Sequence, residues 1–153
     1  MAKDLKYFMR DQKEEIITAP GPDTILDDEG NPLTLEIKVL SAAEIRKIDN
    51  NYRKRSIAFN DKGAPYISDG EVVFKVEKDA ARAVRHIIAE ALVYPDLKDP
   101  GLMEHYNCVD ITEMPQLVFS KSDEYSHVVR VVFGALGLTP GANDSETLNA
   151  AKN

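Results

Sequence analysis

The chain has 153 residues, of which 43% are hydrophobic and 29% are charged, a balance typical of a soluble globular domain. Its net charge of −7 argues against a general nucleic-acid binder, because phosphate contacts require clustered Lys and Arg. No run approaches the roughly 18 apolar residues that cross a bilayer, and charges occupy the start of the chain where a signal peptide would be apolar. The only cysteine is Cys108, which excludes an intramolecular disulfide. We therefore expect a cytoplasmic protein with neither a nucleic-acid nor a membrane partner.

The first strong pattern is an alternation of apolar and polar residues between positions 33 and 39. This period of two is typical of a half-buried strand. The preceding run DDEGNP contains residues that favour a turn. A hairpin is therefore predicted, with either residues 16–19 or residues 24–26 as the second strand.

A helix is predicted to follow, from Ala42 to about Arg55, because Ser41 and Glu44 have the spacing of a capping box. Its exposed face would carry the one basic patch of an acidic chain. That patch contains Arg46, Lys47, Arg53, Lys54 and Arg55. A solvated helix face explains such a patch, and a docking surface for an acidic partner is the alternative.

The middle of the chain predicts a second hairpin and a second helix. Val72, Phe74 and Val76 alternate with other residues, and residues 66–67 can pair with them across the turn SDG. A helix is then expected from near Glu77, with apolar residues at helical spacing, and Pro95 should end it.

The C-terminal half predicts shorter helices and a tail. Asp99 followed by Pro100 is the pattern of an N-cap and a first helical residue. A last helix is predicted from about Ser122 to Leu136, with Gly137 as its stop. We expect an α+β, mainly helical single domain over residues 1–138 with short N-terminal β-hairpins, and a flexible tail over residues 139–153.

The sequence contains no recognisable catalytic or cofactor motif. His105 and Cys108 are three residues apart, but a structural zinc site normally supplies two pairs of such ligands. No phosphate-binding glycine loop and no nucleophile motif is present. We expect no enzyme activity, no metal and no cofactor, which leaves protein binding as the class of function to consider.

Three segments, in this order, resemble the XkdN-like family of phage tail assembly chaperones, encoded by tailed phages and prophages of Gram-positive bacteria. They are DDEGNPLTLEIKVLSAAEIRKI, ALVYPDLKDPGLMEHYN and EYSHVVRVVFGALGL. The resemblance covers about residues 28–138. The sequence differs from the family pattern in lacking a tryptophan in the strand at residues 33–37 and in having Asn107 in place of a glycine.

The resemblance implies a chaperone that binds the tape-measure protein, keeps this long helical chain soluble and helps tail-tube subunits assemble around it. It implies action in the bacterial cytoplasm and absence from the mature virion, while a homo-oligomer is left open. The residues predicted to contact the client are Leu97, Leu102, Met103 and Tyr106, although burial in the chain's own core explains their pattern equally well. The alternative function is a phage structural adaptor, such as a tail-completion or head–tail connector subunit.

Overall fold

Most strands lie in the first two thirds of residues 3–138, and three helices follow one another at its end; this range is the part of the chain that a computed structural model of the protein describes. Of the described residues, 37% are helical and 23% are in strands, and the strands form three sheets. The α+β class is confirmed, but the expectation of a mainly helical fold is wrong. The predicted tail at residues 139–153 lies outside the described residues.

Within the described residues, five α-helices and seven strands follow a short 3₁₀ helix at Leu5–Phe8. The strands are β1 (Ile16–Pro20), β2 (Thr34–Lys38), β3 (Arg53–Ile57), β4 (Ile67–Ser68), β5 (Glu71–Val72), β6 (Phe74–Lys78) and β7 (Leu92–Tyr94). The helices are α1 (Ala42–Asn50), α2 (Ala80–Ala91), α3 (Pro100–His105), α4 (Met114–Val118) and α5 (Ser122–Ala135).

The predicted N-terminal hairpin is present. Of the two segments predicted to pair with β2, residues 16–19 do so, as part of β1. Strand β1 pairs antiparallel with β2 in a register that places Ile17 opposite Ile37. Strand β7 pairs with the other edge of β2, which makes β2 the centre of a three-stranded sheet. Leu35 and Ile37 are buried on one face of β2, as the alternation predicted.

The core forms where this sheet meets α2, α4 and α5. Helix α2 buries Ile87 and Ile88 on the face that its apolar spacing predicted. Helix α5 buries Val128 and Val132, and Gly137 follows it with a φ of 74°, a conformation that favours glycine. The predicted end of the last helix is confirmed.

One turn design occurs twice. The side chain of Asp27 accepts hydrogen bonds from the backbone N–H groups of residues 29 and 31, and Asn60 binds residues 62 and 64 in the same way. A glycine with positive φ stands three residues after each, Gly30 and Gly63. The run DDEGNP is therefore a turn, as predicted, and NDKGAP is a second copy of it.

Three helix boundaries differ from the prediction. Helix α2 ends at Ala91 instead of at Pro95, because residues 92–94 form β7 and pair with β2. Helix α1 ends at Asn50 instead of continuing to Arg55, because the residues after the Asn50–Asn51 pair form β3 and bond to β6. Helix α2 begins at Ala80, where the side chain of Asp79 caps it, so Glu77 lies in a strand. The predicted basic patch is consequently divided between α1 and β3.

Glu124 connects the start of α5 to the loop after β1. Its carboxylate accepts a hydrogen bond from the backbone N–H of Lys121 at 3.0 Å and another from the hydroxyl of Thr24. The Thr24 hydroxyl, followed by the Lys121 amide, lowers the pKa of Glu124, against the opposing effect of burial.

Glu124→Gln is expected to make the thermal stability of the protein depend less on pH. Because the folded-state pKa of Glu124 is lowered, its ionised form stabilises the fold above its ordinary pKa near 4.5, and this contribution is lost as the pH falls through the folded value. Glutamine can accept the same backbone hydrogen bond but does not titrate.

The check is thermal melting of both proteins between about pH 5 and pH 3. The melting temperature of the native chain should fall further than that of the variant over this range. Parallel pH profiles for the two proteins would contradict the assignment.

Candidate functional site

Of the four residues predicted to contact a partner, Leu97 is fully buried, with 0% of its side chain exposed. Leu102, Met103 and Tyr106 lie on or just after α3, are half-buried and pack against the core. The structure thus brings the four together in one region. Only the last three present part of their surface to solvent.

The local sequence explains how α3 is positioned. Asp99 caps the helix, accepting a hydrogen bond from the backbone N–H of Leu102 at 3.0 Å, and Pro100 occupies the first turn. Asn107, just after the helix, has a φ of 51°, which asparagine tolerates better than most residues. The cap predicted for this segment is confirmed.

A second surface was not predicted. Residues 53–78 form a long antiparallel hairpin, here called the β-arm, in which β3 pairs with β6 and, nearer the tip, β4 pairs with β5. None of its residues is buried. The β-arm therefore adds nothing to the core, although it carries several large apolar side chains.

The two faces of the β-arm differ in composition. Side chains alternate between faces along a strand, and residues paired across strands share a face. The register accordingly divides the β3–β6 ribbon into two sets. One face, here called the apolar face, carries Arg53, Arg55, Ile57, Phe74, Val76 and Lys78, and the opposite face carries Lys54, Ser56, Lys75 and Glu77.

The apolar face is open to solvent. Phe74 is 47% exposed and Val76 is 66% exposed. The guanidinium of Arg55 lies 4.1 Å from the centre of the Phe74 ring, within the range of a cation–π contact. An unpartnered apolar surface of this kind is typical of a protein interaction site.

Asp49, in the last turn of α1, holds the base of the β-arm. Its carboxylate lies 2.9 Å from the amine of Lys78 and 3.5 Å from the guanidinium of Arg53. These two cations are opposite each other in the ribbon register, so the carboxylate offsets a repulsive pair. The Asp79 amide also bonds to the Tyr52 carbonyl at 2.9 Å, which closes the hairpin base.

On the opposite face, Lys75 and Glu77 form an ion pair of 2.9 Å. The hydrogen bond from Lys75 lowers the pKa of Glu77. Both side chains are exposed, so this pair adds little to stability. The opposite face also carries Lys54, so its two cations outnumber its one carboxylate, whereas the strand residues of the apolar face include no carboxylate.

No group of three or more metal-ligating side chains is assembled within residues 3–138. Cys108 instead donates a hydrogen bond to the carbonyl of Asp110 at 3.1 Å. The Asp110 carboxylate bonds to the hydroxyl and amide of Thr112, which lower its pKa, and pairs with Arg82 at 2.9 Å. These contacts join the loop before α4 to α2.

Within the same range, no helix has the length and apolar character needed to cross a membrane.

Sequence reasoning predicted the hairpin across SDG, in which β4 pairs with β5, but it missed β3 because it continued α1 through Arg55, and with β3 it missed the β3–β6 ribbon. A usable signal was present in the two segments RKRSI and FKVEK, which flank a turn of the type already identified at DDEGNP. The sequence pattern could not predict that both strands are exposed, because alternating apolar residues ordinarily indicate a half-buried strand.

Exposed apolar surface like that of the β-arm is a feature of protein interaction sites. The family described as "Phage XkdN-like tail assembly chaperone protein" matches residues 5–150. The chain therefore belongs to the XkdN-like family of phage tail assembly chaperones, and the resemblance found in its sequence is confirmed.

The crystal structure of the protein YqbN has a similar fold, with a TM-score of 0.66 over 90% of this chain and 98% of that chain. The two sequences are 22% identical, so the likeness concerns the fold alone. No curated protein matches the chain.

Proposed function

We propose that this tail assembly chaperone binds the tape-measure protein of its phage and keeps it soluble while tail-tube subunits assemble around it. Membership of the family over residues 5–150 carries the proposal. The physical requirement is simple: a long amphipathic helix exposes an apolar stripe that aggregates unless a partner covers it, and the acidic charge of this chain would keep the complex dispersed.

The client surface in this proposal is the exposed side of α3, formed by Leu102, Met103 and Tyr106. Each is half-buried, so each can contact a client while remaining anchored in the chaperone's own core. Leu97 is completely buried in the core against which these residues pack, so in this proposal it does not touch the client. In this proposal the protein acts in the bacterial cytoplasm and leaves the tail before the virion is complete.

Met103→Ser and Leu102→Ser test this surface. Each should reduce co-purification of co-expressed tape-measure protein with the tagged chaperone by on the order of tenfold, because each removes apolar contact area. Val131→Ser is the matched control, since Val131 is also half-buried against the core but lies on α5.

The control distinguishes a lost contact from a weakened fold. The three variants should lose similar amounts of thermal stability, while only the α3 variants lose the client. If client binding falls equally in all three, the α3 residues serve the chaperone's own core and the proposed surface is wrong.

A further inference from the structure

We propose that the apolar face of the β-arm docks an acidic amphipathic helix of a partner protein, separately from the client surface proposed on α3. Three features of the face specify this partner: its apolar centre, its surplus of cations and its dimensions.

The apolar centre consists of Ile57, Phe74 and Val76. Phe74 is directly opposite Ile57 in the register, and Val76 is the next residue on the same face of β6. All three are exposed, so together they form a continuous apolar strip. A strip of this type is matched by a partner that presents apolar residues of its own.

Around this strip, cationic side chains outnumber carboxylates. Arg53, Arg55 and Lys78 share the face, whereas the one carboxylate in β3 and β6, that of Glu77, is on the opposite face. Asp49 approaches Arg53 and Lys78 from the base. Within the described chain no carboxylate forms an ion pair with Arg55. The face thus carries positive charge on a protein of net charge −7, which complements an acidic partner.

The dimensions fit a helix. Five residues of ribbon span roughly 15 Å, which is the length of about three turns of α-helix. A helix with an apolar stripe would cover Ile57, Phe74 and Val76, and acidic residues flanking the stripe would reach the cations.

Two other occupants are less compatible with the face. Two β-arms packed through their apolar faces would oppose cations to cations, which disfavours that form of self-association. A nucleic acid would neutralise the cations but leave the apolar strip uncovered, and the acidic remainder of the chain would repel its phosphates.

The test uses the full chain and two fluorescent synthetic helical peptides with the same leucine stripe. The polar positions of one peptide are glutamate and those of the other are lysine. Fluorescence anisotropy should show binding of the glutamate peptide, at least about tenfold tighter than the lysine peptide and weakened by added salt.

Arg55→Glu and Val76→Ser should each weaken binding of the glutamate peptide by about three- to tenfold. The matched controls make the same changes at exposed positions off the β-arm, Arg10→Glu and Val109→Ser, and should change the affinity by less than about twofold. All four positions are exposed, so the melting temperatures should stay close to that of the native chain.

Equal binding of both peptides, or equal weakening by arm and control variants, would overturn the proposal. It would also be overturned if sedimentation showed that the chain self-associates and that Val76→Ser abolishes this association, because the occupant would then be a second copy. Displacement of the glutamate peptide by a single-stranded oligonucleotide would assign the face to nucleic acid instead. None of these measurements depends on the tape-measure protein.

Discussion

Leu97→Ala is expected to lower the free energy of unfolding by about 2–5 kcal/mol, the range for truncation of a buried leucine. Leu97 is completely buried and belongs to the main core cluster. It lies between Pro95 and the cap of α3 at Asp99, so its packing determines where α3 meets the rest of the molecule. Truncation would leave a cavity in the core cluster against which the α3 residues also pack.

Urea unfolding measures this change, read as a shift of the midpoint at constant slope. Val109→Ala is the control, because the side chain of Val109 is 98% exposed and its truncation should cost less than about 0.5 kcal/mol. A Leu97→Ala protein as stable as the native chain but deficient in client binding would show that Leu97 contacts the client directly.

Gly21→Ala is expected to destabilise the protein by about 1–3 kcal/mol, as overpacking does. A Cβ atom at Gly21 would lie 2.6 Å from the backbone carbonyl oxygen of Leu33. The Gly21 amide donates a hydrogen bond of 2.7 Å to that same oxygen. Relief of the clash would therefore require the backbone after β1 to move away from the residue that leads into β2.

The same substitution at Gly134 should have the opposite sign. Gly134 is inside α5 and a Cβ atom there would meet nothing within 4 Å. Alanine should therefore stabilise the helix by about 0.5–1 kcal/mol. Thermal melting of the two variants compares them directly, and equal melting temperatures would contradict the close approach at Gly21.

The sequence correctly predicted those helices and strands whose ends are determined by residues close to them along the chain. Asp99 and Pro100 start α3, Gly137 follows α5, and the alternation around Leu35 and Ile37 marks β2. In each case the deciding interaction is within the element or its cap, so it can be read from a few adjacent positions.

The remaining elements depend on contacts between distant parts of the chain. Strand β7 is three residues long and exists because it pairs with β2, about 55 residues earlier. Strand β3 is rich in Arg and Lys, which favour helix as readily as strand, and its pairing with β6 decides the outcome. These missed strands explain why the mainly helical expectation was wrong.

The candidate site was predictable only in part, for the same reason. Spacing identified Leu102, Met103 and Tyr106 as apolar residues near a short helix, but it could not distinguish half-burial from the complete burial of Leu97. Among residues 3–138 no layer covers the apolar face of the β-arm, and no local sequence pattern encodes whether such a layer is present.

Co-expression tests the proposed binding and solubilisation of the tape-measure protein by this chaperone. The most direct measurement is the soluble fraction of tape-measure protein expressed in bacteria with and without this chain, followed by size-exclusion chromatography of the soluble material. We expect the soluble fraction to rise with co-expression and the two proteins to elute together. An insoluble tape-measure protein, with this chain eluting alone and present in purified virions, would show that the chain does not solubilise that protein and would favour a structural adaptor.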